Sequence, residues 1–193
     1  MKTMKRRAMV LLTTMAVVMV VGSGVALAAT TIQCVVGTTC LGTTAADTMA
    51  GTGHPDFMFG KGGADTMHGR GDVDTLQGDK GSDHIYGDSG DDNSLWGGSY
   101  DPSTNTYPDT SNDYVHGGRG NDRIAGGLAQ GGVDRLYGEG GNDFINASQR
   151  YQEDFKPVTK EIIDCGPGAH DEVYLDKGVD VVATNCETKH RVP

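Results

Sequence analysis

The chain has 193 residues, with 16 Lys+Arg against 26 Asp+Glu and a formal charge of −10, and it carries 30 glycines beside one Trp, seven Tyr and four Phe. That acidity excludes nucleic acid and an anionic membrane as main partners and suits a metal ion or a polycation. So few bulky apolar residues cannot fill an ordinary core, so order must come from a strict repeat.

Residues 1–28 read as an export signal. Lys2, Lys5, Arg6 and Arg7 make a basic start, Ala8 to Val21 is an apolar run, and Ala26-Leu27-Ala28 offers a small-x-small cleavage site. The apolar run falls short of the ~20 residues that span a bilayer, so removal after Ala28 or Ala29 and a secreted, extracellular product are expected, without membrane insertion. Arg6-Arg7 leaves the twin-arginine route open, while the strongly apolar core favours the general secretory one. Cutting after Ala28 leaves 12 Lys+Arg against 26 Asp+Glu, a charge of −14.

Four cysteines fall in two local groups, Cys34 with Cys40 and Cys165 with Cys186. An even count in an exported chain reads as disulfides. Of the three connectivities, proximity favours Cys34–Cys40 and Cys165–Cys186, one pair at each end of the molecule. The second would close a loop of about twenty residues and stabilise by ~3 kcal/mol on the chain-entropy model. A cysteine metal site lacks its C-x-x-C spacing. Residues 29–41 are expected to be an N-terminal cap, with Thr30 to Leu41 forming a first strand-like coil.

From Gly42 the chain repeats every nine residues, through Gly42 to Ala50, Gly51 to Phe59, Gly60 to His68, Gly69 to Gln77 and Gly78 to Tyr86. The sixth places hold Asp47, Asp56, Asp65, Asp74 and Asp83, and the eighth hold Met49, Met58, Met67, Leu76 and Ile85. The sixth unit, Gly87 to Trp96, has ten residues and two readings. Either Leu95 points inward and Asn93 replaces the aspartate, or Asp92 keeps its place and the strand is bulged. The next unit opens at Gly97-Gly98 and reaches Asp113 after an insertion containing Pro102 and Pro108, which reads as a surface loop. Gly117 to Ala125 is regular with Asp122, Gly126 to Tyr137 carries three extra residues before Asp134, and Gly138 to Asn146 closes the array with Asp143.

The first six places are too rich in Gly for helix or strand, whereas places seven to nine centre on an apolar residue. Each unit therefore reads as a six-residue turn followed by a three-residue strand. Two units make one coil of a flattened spiral, and alternate strands stack into two parallel sheets with the eighth-place side chains between them. Glycine serves turns that need positive φ and close backbone approach. The spiral sets Asp47, Asp65 and Asp83 on one edge and Asp56 and Asp74 on the other, where like charges would repel. A hard cation relieves this, and calcium accepts six to eight oxygens, including the unobstructed carbonyls of a Gly-rich turn. Residues 42–146 hold 17 Asp+Glu against six Lys+Arg, a balance that about five or six divalent ions would neutralise. Asp72, Asp79, Asp88 and Asp91 fall outside the sixth place and read as solvated turn residues.

In these residues the chain resembles the RTX-type (repeat-in-toxin, hemolysin-type) calcium-binding repeat proteins. Gly117 to Ala125 fits the family pattern G-G-x-G-x-D-x-U-x at every place. The resemblance implies an all-β fold, a parallel β-roll, with Ca2+ between neighbouring turns of one edge. It makes Asp47, Asp56, Asp65, Asp74, Asp83, Asp92, Asp113, Asp122, Asp134 and Asp143 the metal ligands. Many of that family leave the cell by an uncleaved C-terminal signal, a point at which the N-terminal signal and cysteines depart from it.

After the array, 147–160 loses the period and reads as a link. Residues 161–193 read as a C-terminal cap, in which Glu161 to Tyr174 resembles one degenerate repeat with an extra residue, Asp171 is a candidate further calcium ligand and Val179 to Ala183 supplies a cap strand. The six histidines lack an H-E-x-x-H arrangement and read as exposed strand or turn residues; no G-x-S-x-G elbow is present. Trp96 reports on folding if buried. The expectation is a monomeric, non-enzymatic calcium-binding protein, folded by calcium, or else an adhesion or matrix module with a cell-surface or matrix partner.

Overall fold

The computed structural model describes residues 29–99, 109–127, 132–148, 159–176 and 179–192. The expected signal at 1–28, most of the insertion before Asp113, residues 128–131 of the lengthened unit and most of the link lie outside the described residues.

Strands follow one another at nearly constant intervals from β1 to β8, and longer intervals precede β9 and β13. The first eight are β1 Thr30–Gln33, β2 Thr39–Leu41, β3 Asp47–Ala50, β4 Phe57–Phe59, β5 Thr66–His68, β6 Thr75–Gln77, β7 His84–Tyr86 and β8 Ser94–Trp96. The remainder are β9 Tyr114–Arg119, β10 Arg123–Ala125, β11 Arg135–Gly140, β12 Phe144–Asn146, β13 Ile162–Asp164, β14 Glu172–Asp176, β15 Val181–Val182 and β16 Thr188–Val192. None of the described residues is helical. Odd-numbered strands form one eight-stranded parallel sheet and even-numbered strands the other. The molecule is thus the expected all-β parallel solenoid, a roll of about seven turns in which two nonapeptides complete one coil.

Register places like on like. Met49 pairs with Met67 and Met67 with Ile85 in the odd sheet, while Met58 pairs with Leu76 and Leu76 with Leu95 in the even one. Each of these eighth-place side chains is fully buried. Removing one such chain from water contributes ~1.5–3 kcal/mol, and unbranched methionine fits the narrow gap between sheets without a fixed rotamer. Outward columns stack as well. His68, Tyr86, His116 and Tyr137 lie ring on ring with centroids 4.6, 4.9 and 4.6 Å apart.

Both expected disulfides are present, Cys34–Cys40 and Cys165–Cys186. Cys40 takes the inward register beside Met58, so the first bridge covers the start of the apolar row. At the far end Lys189 occupies the inward register opposite Val173 and donates to the Cys186 carbonyl, a polar stopper over the last coil. Trp96 lies on the outer face at 36% exposure, so it does not report on core formation.

One open reading is resolved and one expectation is corrected. In the sixth unit Asp92 keeps its place and Leu95 also points inward, because Asn93 is the extra residue of a bulge: Thr75 pairs with Ser94, while the Asn93 N–H donates to the Asp74 carbonyl. Residues 161–174 are not one degenerate unit. Glu161 to Asp164 closes a unit of the odd sheet, and Cys165 to Tyr174 forms a separate unit of the even sheet.

Candidate metal sites

All ten sixth-place aspartates are buried, none more than 7% exposed. They form two rows, Asp47, Asp65, Asp83, Asp113 and Asp134 ahead of odd strands, and Asp56, Asp74, Asp92, Asp122 and Asp143 ahead of even ones. Within each row one carboxylate oxygen is committed to the backbone. The Asp47 N–H donates to Asp65 Oδ1, Asp65 to Asp83, Asp83 to Asp113 and Asp113 to Asp134, at 2.7–2.9 Å. On the other edge Asp56 donates to Asp74, Asp74 to Asp92, Asp92 to Asp122 and Asp122 to Asp143, at 2.8–2.9 Å. The ladder explains why aspartate is needed: its short arm spans one coil, and a buried N–H requires an acceptor.

The second oxygen is where chemistry is left over. Oδ2 of Asp65, Asp74, Asp83, Asp92, Asp113, Asp122 and Asp143 is buried without a hydrogen-bond partner among the described residues. It faces the first-place glycine of its own unit. A Cβ at Gly60 would lie 2.2 Å from Asp65 Oδ2 and 2.5 Å from the Gly78 carbonyl oxygen; at Gly87 the distances are 2.2 Å to Asp92 Oδ2 and 2.4 Å to the Gly117 carbonyl oxygen. Glycine thus opens a cradle in which a carboxylate oxygen and a carbonyl from the next coil converge.

Burial acts first on these acids and raises their pKa; the ladder N–H opposes it and neighbouring carboxylates add to it. Asp65 is pushed up to about 6, Asp74 to about 7, Asp83 and Asp92 to about 8, and Asp113 to about 9. Asp122 and Asp134 reach about 6 and Asp143 about 7 for the same leading reason. A proton or a cation satisfies the same oxygens, and only the cation leaves the carboxylates charged.

The first two units differ. The Thr43 N–H and hydroxyl donate to Asp47 Oδ2 at 2.6 and 2.9 Å, and the Thr52 N–H and hydroxyl donate to Asp56 Oδ2 at 2.5 and 3.0 Å. Asp47 also accepts from the Thr30 hydroxyl and N–H. Burial pushes its pKa up, but these threonine bonds outweigh that and hold it below the ordinary value.

Three acids outside the ten regular places belong to this arrangement, and of these only Asp171 is a candidate from the sequence. Asp109, where the insertion rejoins the turn, is buried and adds to the negative field at Asp83 and Asp113. Glu161 takes the sixth place after Asp134, its N–H donating to Asp180 Oδ1 at 3.2 Å. Asp171 follows Asp143, accepting its N–H at 2.8 Å. The signal for the last two was an acid immediately ahead of Ile-Ile and Glu-Val-Tyr. Asp72, Asp79 and Asp88 are turn residues at φ of 70–74°, and Asp91 accepts the Asn121 N–H at 2.8 Å.

No three Asp, Glu, His or Cys side chains converge as a metal cluster among the described residues. A cation here would draw on single carboxylates and turn carbonyls, an all-oxygen set that fits calcium and not zinc or copper. Comparison with known families agrees. The RTX calcium-binding nonapeptide repeat matches in four copies, at 41–76, 68–101, 109–131 and 129–149, which together span more than half of the chain. Neither the curated proteins nor the solved structures give a significant match.

Proposed function

The chain belongs to the RTX calcium-binding nonapeptide repeat family, and from that premise we propose that it is an exported, non-enzymatic β-roll whose folding is coupled to calcium. The observation that carries this is the row of buried, unpartnered Oδ2 atoms, each beside a carbonyl across a first-place glycine. Asp65, Asp83, Asp113 and Asp134 on one edge, and Asp74, Asp92, Asp122 and Asp143 on the other, would hold the ions with the turn carbonyls. Calcium, when bound, supplies positive charge that lets these carboxylates stay ionised in a dry setting. Asp47 and Asp56 serve the N-terminal coils through threonine hydroxyls.

Coupling to folding follows from magnitude. An ion at 100 times its dissociation constant stabilises by ~2.7 kcal/mol when the unfolded chain does not bind it, and several such contributions equal the whole stability of an ordinary domain. Export is supported by the N-terminal pattern and by two disulfides, which persist in oxidising compartments. The non-enzymatic reading is supported by a sequence without H-E-x-x-H or G-x-S-x-G. Calorimetric titration of chelator-treated protein tests it: several calcium ions bind per chain and magnesium binds more weakly. No binding at millimolar calcium would overturn the reading.

A second reading, an adhesion or matrix module with calcium in a structural role, is favoured by one observation. Leu41, Phe57, Trp96 and Phe144 are exposed on the outer face of the even sheet. Retention on cell envelopes or matrix in calcium, released by chelator, is its expected result. A monomer retaining no partner would exclude it.

A further inference from the structure

The family match ends at residue 149, but the carboxylate ladder does not. Cys165-Gly-Pro-Gly-Ala-His-Asp171 repeats the turn geometry with cysteine in the first place: a Cβ at Gly138 would meet the Cys165 carbonyl oxygen at 2.4 Å and Asp143 Oδ2 at 2.5 Å. The Gly141 N–H lies 3.4 Å from the Pro167 carbonyl, as the Gly120 N–H lies 2.8 Å from that of Gly140 one coil earlier. The unit has one residue too many, and Asn142 absorbs it, its Oδ1 accepting from both Ala169 and His170 at 3.2 and 3.0 Å. Asp171 thereby returns to the row. Its Oδ1 accepts the Asp143 N–H, and the Glu172 N–H donates to the Asp143 carbonyl at 2.8 Å.

Asp171 is wholly buried, and its Oδ2 has no hydrogen-bond partner among the described residues. A Cβ at Gly168 would lie 2.6 and 2.7 Å from the two Asp171 oxygens and 2.1 Å from the Gly141 carbonyl oxygen, so three oxygens converge on one glycine. We propose that the C-terminal cap holds a further calcium site, built from the Asp143 and Asp171 carboxylates and the carbonyls of turns 138–143 and 165–171. The Cys165–Cys186 disulfide fixes its outer wall. Beyond it the row stops: the Asp171 N–H donates to Glu187 at 2.8 Å, but Glu187 is exposed and its turn, Thr184-Asn185-Cys186, contains no glycine.

This inference rests on the calcium-binding reading above, and the test separates the two. Calcium stoichiometry is measured on the full chain, on Asp171→Asn, which keeps an Oδ1 for the Asp143 N–H, and on Asp164→Asn as a control outside the row. The expected result is one calcium fewer per chain in D171N and no change in D164N. An unchanged count in D171N overturns the cap site alone, whereas a parent chain that binds no calcium overturns both readings. If D171N does not fold, anomalous diffraction from the calcium-loaded parent decides: an ion at the Asp171 carboxylate supports the site, and ions confined to the central rows overturn it.

Discussion

The first two units and the central units share period, core and ladder, yet they leave the Oδ2 atoms of their carboxylates in opposite conditions, while Asp56 Oδ1, at the start of its row, is buried without a partner among the described residues. In the first, Thr43 and Thr52 give two hydrogen bonds each to the oxygen that is orphaned elsewhere. In the central units the second place is occupied by Lys61, Arg70, Asp79 and Asp88 at φ of 70–80°, and no hydroxyl reaches the aspartate. One nonapeptide can satisfy the Oδ2 of its buried acid from within or leave it without a donor, and a threonine at the second place makes that difference. On the proposed reading, the N-terminal end is a metal-independent start and the centre a stack that calcium completes.

Chelation should divide the molecule most. In excess chelator, amide hydrogen exchange is expected to lose protection throughout 60–146 while 30–59 remains slower; uniform loss would break the distinction. Acidity comes next, with opposite signs in the two regions. Asp65, Asp74, Asp83, Asp92 and Asp113 have folded pKa values raised from 3.8 to about 6–9. Without metal, their contribution is complete below 3.8 and is lost as pH rises through 6 to 9. Asp47, whose pKa is lowered, contributes above 3.8 and loses that contribution as pH falls through its folded value. Calcium-free protein should therefore gain central structure on acidification to pH 4–5, measured by circular dichroism, while calcium affinity falls.

Point substitutions give smaller effects. Gly87→Ala puts a methyl 2.2 Å from Asp92 Oδ2 and 2.4 Å from the Gly117 carbonyl oxygen. It should cost ~1–3 kcal/mol by overpacking, with weaker calcium binding, read by thermal melts in calcium. Asp83→Asn should lower the calcium count where Asp47→Asn does not, a calorimetric contrast that equal losses would erase. Thr52→Ala removes the hydroxyl that donates to Asp56 Oδ2 and accepts the His54 N–H, and should cost ~1–2 kcal/mol with the calcium count unchanged.

Much of this was legible because Gly, Asp and the apolar residue recur at fixed places, and in a solenoid the period alone determines which residues stack. The role of Thr43 and Thr52 was not legible, since whether a turn threonine reaches its own aspartate depends on backbone angles that composition does not reveal. Asn93 left two readings open for a different reason. One inserted residue can be absorbed by a bulge without displacing either the acid before it or the leucine after it, whereas pattern matching assumes a rigid count. Glu161 and Cys165 were obscured by chemistry: a longer acid and a disulfide cysteine stand where the repeat has aspartate and glycine, although the backbone path is kept.

The central claim is that the unpartnered oxygens of the middle coils require calcium to stay folded at neutral pH. Titrating calcium into chelator-treated protein at neutral pH, with far-ultraviolet circular dichroism as the readout, tests it most directly. The account predicts a saturable, cooperative gain of β-structure. A spectrum unchanged from chelator to millimolar calcium would contradict it.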